Sequence, residues 1–381
     1  MKRNKLFLLS ATLLAAVTFT SCDDSGNGGE DGGYGYDFTE VIKTYVNDVV
    51  ITTYTDMKNC ATALYDAVEE YEASQTQENL NSVCAKWRAM RIPWEESEGF
   101  LFGPAALLNL DPSLDSWPLE KGGIDRIING SEGIDIDRIA SPNLHGFHAV
   151  EYLIFSDGNP KTTPLSSREL DYLVAATQYL RNDTYMLWAN WVGEDEVTDE
   201  VAEVFEEEEI EVMYNFAAQF RNAGSAGSTF LSKDDAIDQI IDGCVDIVTE
   251  VGSQKIGGPN GYAKAGDMET AVLEVESWYS WNSIDDYANN ITSIRNSYFG
   301  GRGLTASNAS SSSISAFVKS KNPELNTEIT NAIEKAYNAI AVDMDRPFRN
   351  NLTGGKVDDA MDACSELEAI LEKIKTLRDQ E

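Results

Sequence analysis

Ser141-Pro142-Asn143-Leu144-His145-Gly146-Phe147-His148-Ala149-Val150-Glu151-Tyr152-Leu153-Ile154-Phe155 carries both histidines of a 381-residue chain, and the rest of the sequence is organised around it. Ser141 can cap a helix, Pro142 suits the first turn, and Asp157-Gly158-Asn159-Pro160 stops it. The apolar residues Leu144, Phe147, Val150, Leu153, Ile154 and Phe155 go most of the way round, which predicts a largely buried helix. On it His145, His148 and Glu151 step round by about 60° each, so His148 adjoins Glu151 on one face. A carboxylate in apolar surroundings is costly unless it is paired, hydrogen-bonded or bound to a metal. Two readings follow: an internal His148–Glu151 hydrogen bond that satisfies both groups, or part of a metal site completed from elsewhere. The spacing is that of the Glu-x-x-His ligand pairs of four-helix di-iron proteins, in reversed order.

The N-terminal segment, residues 1–21, reads as a secretory signal. Met1-Lys2-Arg3-Asn4-Lys5 is a basic start, and Leu6 to Phe19 is an apolar run too short to span a membrane comfortably. Phe19-Thr20-Ser21-Cys22 resembles a relaxed lipobox, in which the cysteine becomes the lipidated first residue. Residues 22–37 then form an acidic, glycine-rich tether. The acidic pair after Cys22 resembles signals that send lipoproteins to the outer face of the outer membrane. The expected location is therefore the cell envelope, periplasmic or surface-exposed, with membrane contact through Cys22 and other envelope proteins as further partners.

Removing residues 1–21 takes Lys2, Arg3 and Lys5 from the 29 basic residues and leaves 26 against 64 acidic ones, a net charge of −38. Such a surface repels phosphate backbones, which excludes nucleic acid as a partner, and it attracts cations. Cys60, Cys84, Cys244 and Cys364 are free to pair in an oxidising compartment, yet show no CxxC unit and sit in helical segments as small apolar residues.

Residues 38–381 are rich in helix formers and poor in strand-like alternation, which predicts an all-α chain of two helical bundles, 38–225 and 226–381. Asn222-Ala223-Gly224-Ser225-Ala226-Gly227-Ser228 marks the boundary. The first unit begins at a capping box, Asp37-Phe38-Thr39-Glu40. It continues with one long helix or two in line to Tyr71, a second from Thr76, and two more over Arg168–Trp191 and Val201–Arg221. The second unit places helices at about 234–250, 267–281, 284–298, 311–319, 323–345 and 356–379.

Two faces outside the histidine helix carry chemistry. If helical geometry persists past Pro93, then Arg91, Trp94, Glu95 and Glu98 share a face, too polar for core and too aromatic for plain surface. Residues 105–140 form a long irregular stretch with Asp115-Ser116-Trp117-Pro118-Leu119 that leads into the histidine helix and covers one side of it. Further on, Glu274–Ile291 is polar and aromatic. There Ser283 with Asp286 can cap a helix, while Asp285 and Asn289 share another face.

Gly146-Phe147-His148-Ala149-Val150-Glu151 resembles the G-x-H-x-x-E signature of the imelysin family of extracytoplasmic bacterial proteins. The family is also resembled by Trp87-Arg88 with Arg91 to Pro104, by Ser116-Trp117-Pro118, and by Glu276 to Gly300, in the family's order. The resemblance implies an all-helical fold with a site where the signature helix meets the interface of two units. It also implies a secreted or lipid-anchored protein, in a family of which some members are tied to iron or haem uptake and which is named for a reported peptidase activity. Gly146, His148 and Glu151 carry the signature, and His145 lies outside it.

Three functions are then in play. A zincin-type peptidase needs HExxH, which is absent, and two histidines cannot build a three-histidine metal site. Ser277 and Ser280 are conceivable nucleophiles, but their spacing does not set them apart from ordinary helix serines. A binding role fits better: His148, Glu151, Glu95 and Glu98 make a nitrogen and oxygen donor set for iron or zinc, or for a haem-type ligand. Gly146, Arg91, Trp94, Ser277, Ser280, Asp285 and Asn289 are its neighbours. The alternatives are a metal-dependent peptidase and an interaction module with a structural His–Glu pair.

Overall fold

The computed structural model describes residues 33–378, so the expected signal, Cys22 and most of the tether lie outside the described residues. The chain is all-α, as its patterning predicts. Among the described residues, strand occurs in one antiparallel hairpin, Phe155–Ser156 with Asn159–Pro160.

The first helical rod runs through residues 39–73 as Thr39–Thr44, a π-helical stretch Tyr45–Ile51, and Thr52–Ala73. Val41, Tyr45, Val49, Leu64, Val68 and Tyr71 are all buried along it. The Thr76 side chain then accepts the Asn79 N–H and starts Gln77–Glu95. A capping box of Ser166 and Glu169 opens Ser167–Val192, and one of Ser232 and Asp235 opens Lys233–Glu250.

Thr52–Ala73 packs against both Gln77–Glu95 and Ser167–Val192, while Lys233–Glu250 packs against Gly355–Leu371 and Ser283–Phe299. Ser283–Phe299 also lies against Gln77–Glu95, and this contact brings residues about 190 positions apart into one site. Trp87, fully buried, donates its indole N–H to Phe147 O at 3.0 Å and so ties Gln77–Glu95 to the histidine helix. Truncating a side chain of this kind costs ~3–5 kcal/mol.

The structure departs from the pattern in several places. Ser141–Phe155 is not one helix: Pro142–Leu144 is a 3-10 turn, His145 is extended, and the helix proper is Phe147–Ile154. Gly146, at φ +82°, makes the break, because a Cβ there would lie 2.5 Å from Leu114 O. The expected helix 267–281 stops at Leu273, and a turn follows in which Ser277 and Trp281 adopt φ of +53° and +62°. The expected Val201–Arg221 helix divides into Asp199–Glu207 and Phe216–Arg221, because Asn190 Oδ1 accepts the N–H groups of Met213 and Tyr214 between them. A helical stretch the pattern missed follows Glu250, π-helical over Val251–Ile256 and then Gly257–Lys264. Tyr34, at the end of the expected tether, is buried and donates to Asp238 at 2.6 Å. The four cysteines Cys60, Cys84, Cys244 and Cys364 are all free thiols, and no helix among the described residues is long and apolar enough to cross a membrane.

Candidate functional site

Seven pieces of backbone deliver the site. The last turn of Gln77–Glu95 supplies Arg91, Trp94 and Glu95, and the 3-10 turn Glu98–Phe100 supplies Glu98. The loop after Asp111–Leu114 supplies Asp115 and Trp117, and Phe147–Ile154 supplies His148 and Glu151. The π-helical stretch brings Lys255. The Glu274–Asn282 turn and the helix after it bring Glu276, Asp286 and Asn290. Arg91, Glu95, Glu151 and Asp286 are completely buried, as is the Asn290 amide, so their charges must be met within the cluster.

His148 is held on both sides. Its Nδ1 lies 2.9 Å from Glu151 Oε2, while the other Glu151 oxygen accepts the Ser280 N–H at 2.8 Å. Its Nε2 lies 2.9 Å from Asp115 Oδ1, an ion pair, and 3.8 Å from Glu276 Oε1. The Trp117 ring stands edge-on to the imidazole at 4.6 Å. Burial opposes the imidazolium, but Asp115, Glu151 and Glu276 outweigh it and hold the His148 pKa well above its ordinary value.

Arg91 lies among four carboxylates. It pairs with Glu95, reaches Asp115 and Glu276 at 2.7 Å each, and lies 3.4 Å from Asp286. Lys255 Nζ lies 3.0 Å from Glu98, 3.2 Å from Glu276 and 3.8 Å from Glu95. Trp94 donates to Asp115 at 2.5 Å, and Asn290 donates to Glu95 at 2.5 Å. Six carboxylates, Glu95, Glu98, Asp115, Glu151, Glu276 and Asp286, thus face three cationic side chains, Arg91, His148 and Lys255. The excess is uneven. Burial pushes Glu95 up to about 8 and raises Glu98 and Asp286. For Glu276, by contrast, burial is outweighed by Lys255, His148 and Arg91, which bring it down to about 2.

Asp115, His148 and Glu276 offer donor atoms within 4.8 Å of one another, as do Glu95 with Glu276 and Asp286, and Glu95 with Glu98 and Asp115. A nitrogen and oxygen donor set of this kind suits iron or zinc, and Nε2 is the nitrogen a metal would take by displacing its proton. Arg91 shares Asp115 Oδ1 and Glu276 Oε1, but a carboxylate oxygen carries two lone pairs and can accept a second partner. The donor set therefore fits a cation. A cavity of about 350 Å³ opens onto it, lined among others by Glu98, Asp111, Asp115, Trp117, Lys255 and Glu276.

The candidates from sequence are distributed as follows. His148, Glu151, Arg91, Trp94 and Glu95 belong to this cluster, and Glu98 is bound up with Lys255. Glu151 holds the imidazole from behind, facing Nδ1 and not the Nε2 side. Gly146 serves as the break before the helix. Ser280 contributes its backbone N–H, its hydroxyl turns to Ser277 O, and the Ser277 hydroxyl has no hydrogen-bond partner. Asp285 is exposed and pairs with Arg346, and Asn289 is half-buried; the residues one position on, Asp286 and Asn290, enter the cluster instead. Asp286 therefore faces Arg91 and does not cap its helix, while the Ser283 hydroxyl donates to Glu276 O. His145 is apart from the site, between Ile139 O and Ser113 Oγ, and stacked on Tyr179. Asp115, Glu276, Asp286, Asn290 and Lys255 were not among the candidates. Asp115 was signalled by its place beside Trp117-Pro118, and Glu276, Asp286 and Asn290 by the polar-aromatic stretch around them; Lys255 carries no sequence signal.

Comparison with known proteins adds relatives of the whole chain. Iron-regulated protein A of Synechococcus elongatus is 27% identical over 321 residues, 84% of this chain and 80% of its own length. A crystal structure from Parabacteroides distasonis, described as an iron-regulated protein A precursor, superimposes with a TM-score of 0.81 at 36% identity, covering 90% of this chain and 95% of that one. An imelysin-like protein from Psychrobacter arcticum shares the fold at 15% identity and a TM-score of 0.59, over 90% of this chain and 94% of its own. The family model described as Imelysin (Peptidase M75) matches residues 50–377, the span that holds every residue of the cluster, and on that match the chain belongs to the imelysin family.

Proposed function

We propose that this imelysin is an extracytoplasmic, iron-linked binding protein, lipid-anchored through Cys22, whose buried cluster takes up a metal cation or a small iron-containing ligand. One observation carries the reading: His148 Nε2, Asp115 and Glu276 bring their donor atoms within 4.8 Å of one another, and the two carboxylates line an acidic cavity. His148, Asp115 and Glu276 would hold the cation, Glu151 would orient the imidazole through Nδ1, and Arg91 and Lys255 would fix the carboxylates. The names of two relatives link the family to iron regulation. At about 350 Å³ the cavity lies at the low end of the roughly 300–1,000 Å³ typical of ligand pockets, which favours an ion or small chelate over a porphyrin.

The test is calorimetric titration of the metal-free mature protein with Fe(II) under anaerobic conditions and, separately, with Zn(II). One equivalent should bind, and His148→Ala and Asp115→Asn should each weaken binding at least a hundredfold while remaining folded by thermal melt. Equal titration curves for wild type and both variants would remove the site from contention.

A further inference from the structure

On the far side of the Glu274–Asn282 turn lies a site of opposite charge. Arg88 is half-buried, and its hydrogen bonds all go to uncharged acceptors: Asn282 Oδ1 at 2.6 Å, Ser280 O at 2.6 Å and Gly158 O at 3.3 Å. Among the described residues it has no carboxylate partner, although the chain holds 64 acidic side chains. A partly desolvated charge is ordinarily paired.

Arg88 lines a cavity of about 370 Å³ with Gly158, Ser280, Trp281, Arg346 and Pro347. Arg346 stands at the rim, bound to Asp285 at 2.7 and 2.8 Å through two of its five N–H groups, which leaves donors to spare. The cavity thus brings together a guanidinium that has no carboxylate partner among the described residues and a second guanidinium with donors to spare.

We infer that this cavity is an anion site, taking a small molecule whose carboxylate or phosphate group sits between Arg88 and Arg346. An oxyanion would neutralise Arg88 and match the planar donor fork of arginine. Ser280 joins this site to the cluster, since its carbonyl accepts from Arg88 and its N–H donates to Glu151.

The experiment uses the mature protein kept free of metal, so that its outcome is independent of the cation reading. Inorganic phosphate and citrate are titrated in separate calorimetric arms at matched ionic strength and low chloride. One equivalent of at least one probe should bind saturably, and Arg346→Gln should weaken that binding at least tenfold with unchanged melting temperature. Arg88→Gln is not the deciding variant, because Arg88 also supports the turn. Binding of phosphate alone, citrate alone or both assigns the group recognised. No saturable binding of either probe, or binding that Arg346→Gln leaves unchanged, overturns the inference.

Discussion

His148 and Glu151 are joined by a 2.9 Å contact between Nδ1 and Oε2, and the carboxylate that makes it is itself fixed by the Ser280 N–H. The spacing of three along one helix therefore produces a held imidazole whose other nitrogen points at Asp115 and Glu276. Glu151→Gln keeps an oxygen for the Ser280 N–H but removes the anion behind His148. Partners of this kind are worth ~10–100-fold in metal affinity. The variant should bind Fe(II) or Zn(II) at least tenfold more weakly than wild type while its fold survives, as measured by calorimetry and circular dichroism. Unchanged affinity would mean that Glu151 merely satisfies a buried histidine.

Arg91 decides whether the cluster folds at all. With Arg91→Met, the carboxylates of Glu95, Asp115, Glu276 and Asp286 lose their shared counter-ion in a buried setting. Removing one partner of a buried ionic network costs ~3–5 kcal/mol, so the denaturant midpoint should fall accordingly or the protein should not accumulate. Arg91→Lys should recover only part of the loss, since an ammonium cannot reproduce the planar fork. A midpoint within about 1 kcal/mol of wild type for Arg91→Met would show that the carboxylates take up protons at little cost.

The fold was legible in the sequence to the extent that helix periodicity and caps carried it. Thr76 and the Ser166, Ser232 and Ser313 positions begin helices through local hydrogen bonds that their side chains dictate. The site was legible by halves. His148, Glu151, Arg91 and Glu95 are close in sequence to the features that betray them, and helical spacing relates them within each pair. Asp115, Lys255 and Glu276 come from separate segments and meet only through packing, which no periodicity encodes. The choice between Asp285 and Asp286 turned on one residue, about 100° of helix rotation, and was set by the tertiary partner Arg91 and not by any local cap. The break at Gly146 was likewise invisible, because it answers the Leu114 backbone 32 positions away.

Gly146→Ala tests that break. The residue sits at φ +82°, a region side chains disfavour, and a Cβ would stand 2.5 Å from Leu114 O and 2.8 Å from Ser113 O. Both contacts are backbone and cannot swing away. The strain alone costs of order 1–3 kcal/mol, and the clash should shift the loop that carries Asp115. A fall in melting temperature with weaker cation binding is expected. A variant as stable as wild type, with unaltered binding, would show that the loop yields freely.

Asp183 supplies a pH dependence away from the site. Burial raises its carboxyl to about 7, against a hydrogen bond from Ser113 that lowers it. Its unfolded value is near 3.8, so between about pH 4 and 7 the folded chain binds the extra proton. Stability then falls as pH rises through that window, by on the order of 4 kcal/mol for a shift of this size. Asp183→Asn keeps an oxygen for the Ser113 hydroxyl and removes the titration. The difference in unfolding free energy, variant minus wild type, should therefore grow in the variant's favour from pH 5 to pH 8 and level off above it. Urea denaturation at pH 5, 6, 7 and 8 measures it, and because both proteins share every other titrating group, a difference that stays flat across the series would exclude Asp183 as the cause.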